Sequence, residues 1–233
     1  MAVDAVIFDW GGTLTRWHDI DFHAESLALA QAVVNAPHHS IEEITERLHE
    51  AGAEVWGRSR EQQRSSTLAD LFEVAGLEHD PELLRAYLEF WEPHTFTDPD
   101  AAGALDRLRA AGLRVGVLSN TLWPRAWHDG FFRRDGILDK IDASVYTSEL
   151  PWTKPSPLAF RSAMESLGLD DPGRCVYVGD RLFDDVHGAH GAGMLAIHVP
   201  HSRIPQEQRG HTDGIPDAVA ERLSDIPDIV VGW

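Results

Sequence analysis

Four short stretches of the 233-residue chain carry side chains able to do chemistry. The apolar run Ala5–Phe8 delivers Asp9 to its end, and Gly11, Gly12 and Thr13 follow within four residues. The run VGVLSNT closes on Ser119 and Asn120, and WTKPSP holds Lys154. VYVGDRLFDD supplies Asp180 after Gly179, then Asp184 and Asp185. Together these are carboxylates, a hydroxyl, an amide and an ammonium. Hard divalent cations take oxygen ligands from a few carboxylates, and lysine and hydroxyl groups hold phosphate oxygens. The set therefore fits a cation next to an anionic group. Each residue also has an ordinary use: Asp9 in a turn, Asp184 or Asp185 as a helix cap, Lys154 as a solvated loop lysine. Only their convergence would set those readings aside.

Convergence depends on the elements that carry them. Ala5–Phe8, Arg114–Leu118, Cys175–Val178 and Leu195–Val199 are nearly continuous apolar runs, as in parallel strands covered on both faces, and Ser144–Tyr146 is a weaker fifth. Helical patterns separate them at Asp98–Ala111, Pro155–Leu167 and Leu182–Ala192, each followed by glycine at once or within one residue. This alternation predicts an α/β fold with a doubly wound parallel sheet. In such a sheet ligands bind at the carboxyl ends of the strands, where every one of the four stretches ends or begins. Residues 17–94 interrupt the alternation. They read as an inserted all-helical domain, with helices near Ala24–Val34, Ile41–Val55, Gln62–Ala75 and Pro81–Trp91, and with Ser40 and Glu43 spaced as a capping box. The expected division is a core of residues 1–16 and 95–233 and a helical cap of 17–94.

Composition narrows the partners. A formal charge of −18 argues against nucleic acid, which needs clustered basic residues, and means that an anionic substrate must be held by local features. The single cysteine, Cys175, rules out an intrachain disulfide framework and reads as a core residue. No apolar stretch is long enough to span a membrane, and the N-terminus lacks the basic-then-apolar pattern of a secretory signal. The expectation is a cytoplasmic protein, monomeric or homodimeric, with a small-molecule partner.

The order and content of the motifs resemble the haloacid dehalogenase-like (HAD) hydrolases, whose core is Rossmann-like with an inserted helical cap. Asp9-Trp10-Gly11-Gly12-Thr13 resembles the first motif, D-x-D-x-T, except at its second aspartate. Ser119-Asn120 resembles the second, Lys154-Pro155-Ser156-Pro157 the third, and Gly179-Asp180 with Asp184 and Asp185 the fourth. The resemblance implies a phosphatase acting through an aspartyl-phosphate on Asp9. Ser119, Asn120 and Lys154 would bind the phosphoryl group, with Ser119 and Lys154 also catalytic. Mg²⁺ would be held by Asp9, the main-chain carbonyl of Gly11, Asp180 and Asp185, with Asp184 as the alternative to Asp185. Thr13 would shape the nucleophile loop.

Gly11 is the departure. The aspartate usual there protonates the leaving alcohol and then activates water, help worth about 10²–10⁴ in rate. Three readings follow. One is a phosphatase that recruits another shuttle (His18, Asp19 and Asp21 lie close downstream) or acts on aryl or acyl phosphates, which need little protonation. A second is 2-haloacid dehalogenase chemistry, which needs no metal; those enzymes carry a bulky residue at the Gly11 position and Ser and Asn at Gly179-Asp180. A third is a weakly active or inactive relative that serves as a binding protein. A phosphonoacetaldehyde-type Schiff base lacks its cap lysine, since the lysines are Lys140 and Lys154. Arg58, Arg60, Arg64 and Arg125 are candidates for meeting a second anionic group on a substrate.

Overall fold

The computed structural model describes residues 3–33, 39–204 and 210–233. Val34, the expected end of the first insert helix, lies outside the described residues, as do residues 1–2 and 205–209 of the expected core.

Among the described residues a six-stranded, wholly parallel sheet runs in the order β3-β2-β1-β4-β5-β6. The strands are β1 (Ala5–Phe8), β2 (Arg114–Ser119), β3 (Ala143–Tyr146), β4 (Cys175–Gly179), β5 (Leu195–His198) and β6 (Ala218–Val219). Alternation along β1 sends Val6 and Phe8 into one apolar cluster and Ala5 and Ile7 into the other. The first cluster takes Leu105 and Leu108 of α5 (Ala101–Ala110) and Ile226 and Val230 of α9 (Ile226–Val231). The second takes Phe160 and Met164 of α7 (Pro157–Ser166). Helices thus cover both faces, which is why these strands are apolar throughout rather than alternating.

Register brings the chemistry-bearing loops together. Phe8 pairs with Val117 on one side and with Val178 on the other, so β1, β2 and β4 end at one level. The chain runs outward from β1 through β2 to β3, then crosses back to β4 and continues to β6 on the far side. The crevice between β1 and β4 is therefore the point where the direction of winding reverses, the usual ligand site of such sheets.

The insertion between β1 and β2 is all helical: α1 (Phe22–Ala32), α2 (Ile41–Gln62), α3 (Leu68–Val74) and α4 (Pro81–Trp91). Asp21 caps α1 by accepting from the His23 and Ala24 amides, and Ser40 with Glu43 forms the capping box of α2. Helix boundaries differ from the sequence reading, most of all between α2 and α3. Helix α2 continues to Gln62 and stops only where Gln63 turns left-handed at φ 52°, and α3 starts at Leu68 because Thr67 and Asp70 form a second capping box. The two-residue β6 and the short α9 have no expected counterpart, since segments so short carry no periodicity. No described helix is long and apolar enough to cross a membrane.

Candidate active site

Asp9 leaves β1 with its amide donating to the Val178 carbonyl at 2.8 Å, which ties it to β4. The chain then closes a tight loop: Gly12 donates to Thr15 at 2.6 Å and Thr15 to Trp10 at 2.9 Å. Gly12 adopts φ 95°, and any Cβ there would collide with the Asp180 carboxylate. A glycine is therefore required for Asp180 to approach the loop after Asp9. A strap after β5 braces the same turn: His201 Nε2 and the Ser202 hydroxyl donate to the Gly12 carbonyl at 3.0 and 2.7 Å.

Lys154 is the hub. It is buried, and its ammonium donates to Asp9 Oδ1 at 2.8 Å, Asp185 Oδ1 at 2.7 Å and the Tyr177 hydroxyl at 2.9 Å, using all three of its protons. The Tyr177 hydroxyl in turn donates to the Leu118 carbonyl at 2.8 Å. The Lys154 backbone is fixed by Asn120, whose Oδ1 accepts from its amide at 2.9 Å and whose Nδ2 donates to its carbonyl at 3.1 Å. Asn120 thus positions the lysine from a place on the cavity lining. Ser119, buried at the end of β2, lines the same cavity.

Beyond β4 the chain makes a π-helical turn over Leu182–His187 before a short α8 (Gly188–Gly191), in place of one continuous helix. The wider turn carries Asp185 back over Gly179, where a Cβ would clash with its carboxylate, and lets Asp185 Oδ2 accept from the Arg181 amide at 2.8 Å. Asp184 falls on the cavity wall instead. Of the two candidates, Asp185 joins Asp9 and Asp180 in a group whose ligand oxygens lie within 4.8 Å of one another.

Asp180 is the exception in this network. Both its carboxylate oxygens are buried without a hydrogen-bond partner. An unsatisfied buried charge costs several kcal/mol by order of magnitude, so its position calls for a positive partner. Burial, with the charges of Asp185 and Asp9 adding to it, pushes its pKa well above the usual carboxylate range despite Arg181. Burial also raises Asp9 to about 6, against the pull of Lys154. Lys154 would be lowered by burial, but Asp185 and Asp9 outweigh that and hold it above its ordinary value. Three carboxylates around one ammonium leave the site short of positive charge.

Removing that ammonium is costly. Replacing Lys154 by methionine is expected to lower unfolding free energy by about 3–5 kcal/mol at pH 8, because Asp9 and Asp185 lose their buried partner. Urea denaturation measures it, and a loss under 1 kcal/mol contradicts the pairing.

A cavity of about 240 Å³ opens between this cluster and the insertion. Asp9, Gly11, Ser119 and Lys154 line one wall, and Glu25, Trp56, Tyr87 and Trp91 belong to the other. His18, Asp19 and Asp21 are absent from the lining residues, Asp21 being the α1 cap. Arg58 pairs with Glu54 and Arg125 with Glu149, whereas Arg60 lines the cavity. Tyr177 and Glu25 were not singled out from sequence. Tyr177 sits in an apolar strand, and Glu25 reads as a helix-surface acid until the fold shows what covers it.

The chain matches the family model for haloacid dehalogenase-like hydrolases over residues 3–193. It is 29% identical over 159 residues to a glyceraldehyde 3-phosphate phosphatase of Methanopyrus kandleri, covering 66% of this chain and 67% of that one. Among solved structures, an HAD phosphatase from Thermococcus onnurineus superposes with a TM-score of 0.70 at 25% identity, covering 99% of each chain. An L-2-haloacid dehalogenase from Xanthobacter autotrophicus reaches 0.67 at 23% identity, again over 99% of both, a likeness of fold. With its parallel core, helical insertion and four ordered motifs, the chain belongs to the haloacid dehalogenase-like hydrolases.

Proposed function

We propose that the protein is a Mg²⁺-dependent phosphatase of a small phosphorylated metabolite, acting through an aspartyl-phosphate on Asp9. The observation that carries this reading is the buried, unpartnered Asp180 beside Asp9 and Asp185. Oxygen donors alone suit a hard cation. Asp9, Asp180, the Gly11 carbonyl and Asp185 would hold it. Once bound, it would neutralise the charge that keeps a carboxylate from approaching a phosphate.

The chain's own residues supply the rest. An Asp9 oxygen attacks phosphorus, and the phosphorus–oxygen bond to the leaving group breaks, its electron pair departing with that oxygen. Lys154, held in place by Asn120 and Tyr177, offsets the charge gathering between Asp9 and the phosphoryl oxygens. Ser119 would donate to one of those oxygens. Water then attacks phosphorus, the bond to Asp9 breaks, inorganic phosphate leaves, and the water's proton passes to solvent. Gly11 offers no acid for the first step and no base for the second. Residues 17–94 act as a cap over a core of 1–16 and 95–233, in a cytoplasmic monomer or homodimer.

Dehalogenase chemistry is disfavoured by the same observation, since halide displacement by Asp9 gives Asp180 no role. The test is phosphate release from an aryl phosphate with Mg²⁺ and then with excess chelator. At least a hundredfold loss on chelation is expected. Metal-independent turnover, or release of halide from a 2-haloacid instead, overturns the reading.

A further inference from the structure

Glu25 takes no part in the reaction above. It lies in the first turn of α1, half-buried on the insertion wall of the cavity. One oxygen accepts the Trp91 indole N–H at 2.6 Å. What acts on its charge is its own burial, which raises its pKa to about 7, opposed by hydrogen bonds with Trp91 and Tyr87. Both partners are neutral, so the carboxylate carries its charge uncompensated. Tyr87 feels this directly: burial first and the Glu25 charge second drive its hydroxyl well above the usual value.

Aromatic rings share the cavity with that carboxyl. Phe22, Trp56, Tyr87 and Trp91 line the same wall. Trp91 is packed at 6.2 Å from Phe22 and 5.3 Å from Trp123, and Trp123 at 5.3 Å from Trp10, beside the nucleophile. These contacts hold the rings rigidly. His94, on the same lining, has its pKa lowered by burial and by His18, which leaves it neutral near pH 7. His49 and Arg60 also line the cavity, and neither figures among the groups that shift the Glu25 charge.

A carboxylate in a cavity lined by aromatic rings is complementary to an ammonium group. The charge of the ligand compensates that of Glu25, and its N–CH groups lie against the rings, an interaction worth about 0.5–2 kcal/mol per contact. A hydroxyl would satisfy the hydrogen bond and leave the charge. A methyl group would desolvate the carboxylate for no return. We propose that Glu25 and these rings form a second pole of the cavity, selecting phosphate esters whose far end carries an ammonium group. The anionic end of that ligand rests on the phosphatase reading; the cationic end rests on Glu25 alone.

The test is a binding titration that does not need turnover, read by the fluorescence of the cavity tryptophans at pH 7.5. The probes are 2-aminoethyl and 4-aminobutyl phosphate, each beside its hydroxyl and methyl counterparts of equal length. The full chain is expected to bind one or both amines about tenfold more tightly than their neutral counterparts. Glu25→Gln keeps an acceptor for Trp91 and is expected to bring that preference within about twofold. Equal binding of amine and neutral probes at both lengths, or a preference that survives in Glu25→Gln, overturns the second pole. Loss of aryl phosphate hydrolysis in the unaltered protein counts against the phosphatase reading instead. The two failures are thus separate.

Discussion

Replacing Asp9 by asparagine is expected to remove phosphatase turnover by a factor on the order of 10⁴ or more, while leaving the fold intact. Asparagine has the shape of the aspartate and keeps an oxygen that can accept from Lys154, but its amide does not attack phosphorus. The stability expectation separates lost chemistry from lost structure. In the folded chain Asp9 has its pKa raised from 3.8 to about 6, chiefly by burial. A carboxyl that holds its proton more tightly when folded favours the native state below its unfolded pKa. That advantage is lost as pH rises through the folded value. Above about pH 6 the ionised Asp9 is therefore a net burden, even with Lys154 beside it. Asp9→Asn should then be as stable as the parent, or more stable, at pH 8, with the difference vanishing towards pH 4. Circular dichroism melts across that range check it. A variant that melts much lower at pH 8 would mean that Asp9 is structural.

The second large effect runs the other way. Gly11→Asp is expected to raise hydrolysis of alkyl phosphates on the order of 10²-fold and to change aryl phosphates little. A Cβ on Gly11 would meet only Trp17 Cζ2, at the ordinary contact distance of 3.6 Å. The residue lines the reaction cavity and its backbone is not left-handed, so a side chain is accommodated there. Gly12 is the contrast, since its φ of 95° and the closeness of Asp180 forbid one. Gly11 is therefore not held as glycine by space. On the phosphatase reading, what its absent side chain removes is a proton donor for the leaving oxygen. Alkoxides need that proton and phenolates hardly do, so the parent should favour aryl or acyl phosphates and the substitution should narrow the gap. Steady-state rates on matched alkyl and aryl esters measure it. No gain on alkyl esters would mean that another group already supplies the proton.

Much of the core is legible in the sequence because its signals are local. Continuous apolar runs mark the covered strands, Ser40 with Glu43 marks the start of α2, and the strand ends mark where Asp9, Ser119 and Asp180 emerge. The illegible parts depend on contacts between distant segments. Asn120 reads as a turn or phosphate residue until the Lys154 backbone is seen against its amide. Leu182–His187 has the composition of an ordinary helix, and its π turn exists because Asp185 folds back over Gly179 to reach Lys154 and the Arg181 amide. Glu25 is one acid among many on amphipathic helices, and only the packing of α4 against α1 encloses it with Trp91. The two glycines behind Asp9 look alike in sequence. They part company through the left-handed backbone of Gly12 and the closeness of Asp180, which make one indispensable and leave the other open to substitution.

The most direct test is to quench turnover of an aryl phosphate in acid, digest the protein and weigh the N-terminal peptides. A phosphoryl adduct on Asp9, present during turnover with Mg²⁺ and lacking in Asp9→Asn, is the expected result. Turnover without an adduct on that peptide, or with the adduct on another residue, would contradict Asp9 as the nucleophile.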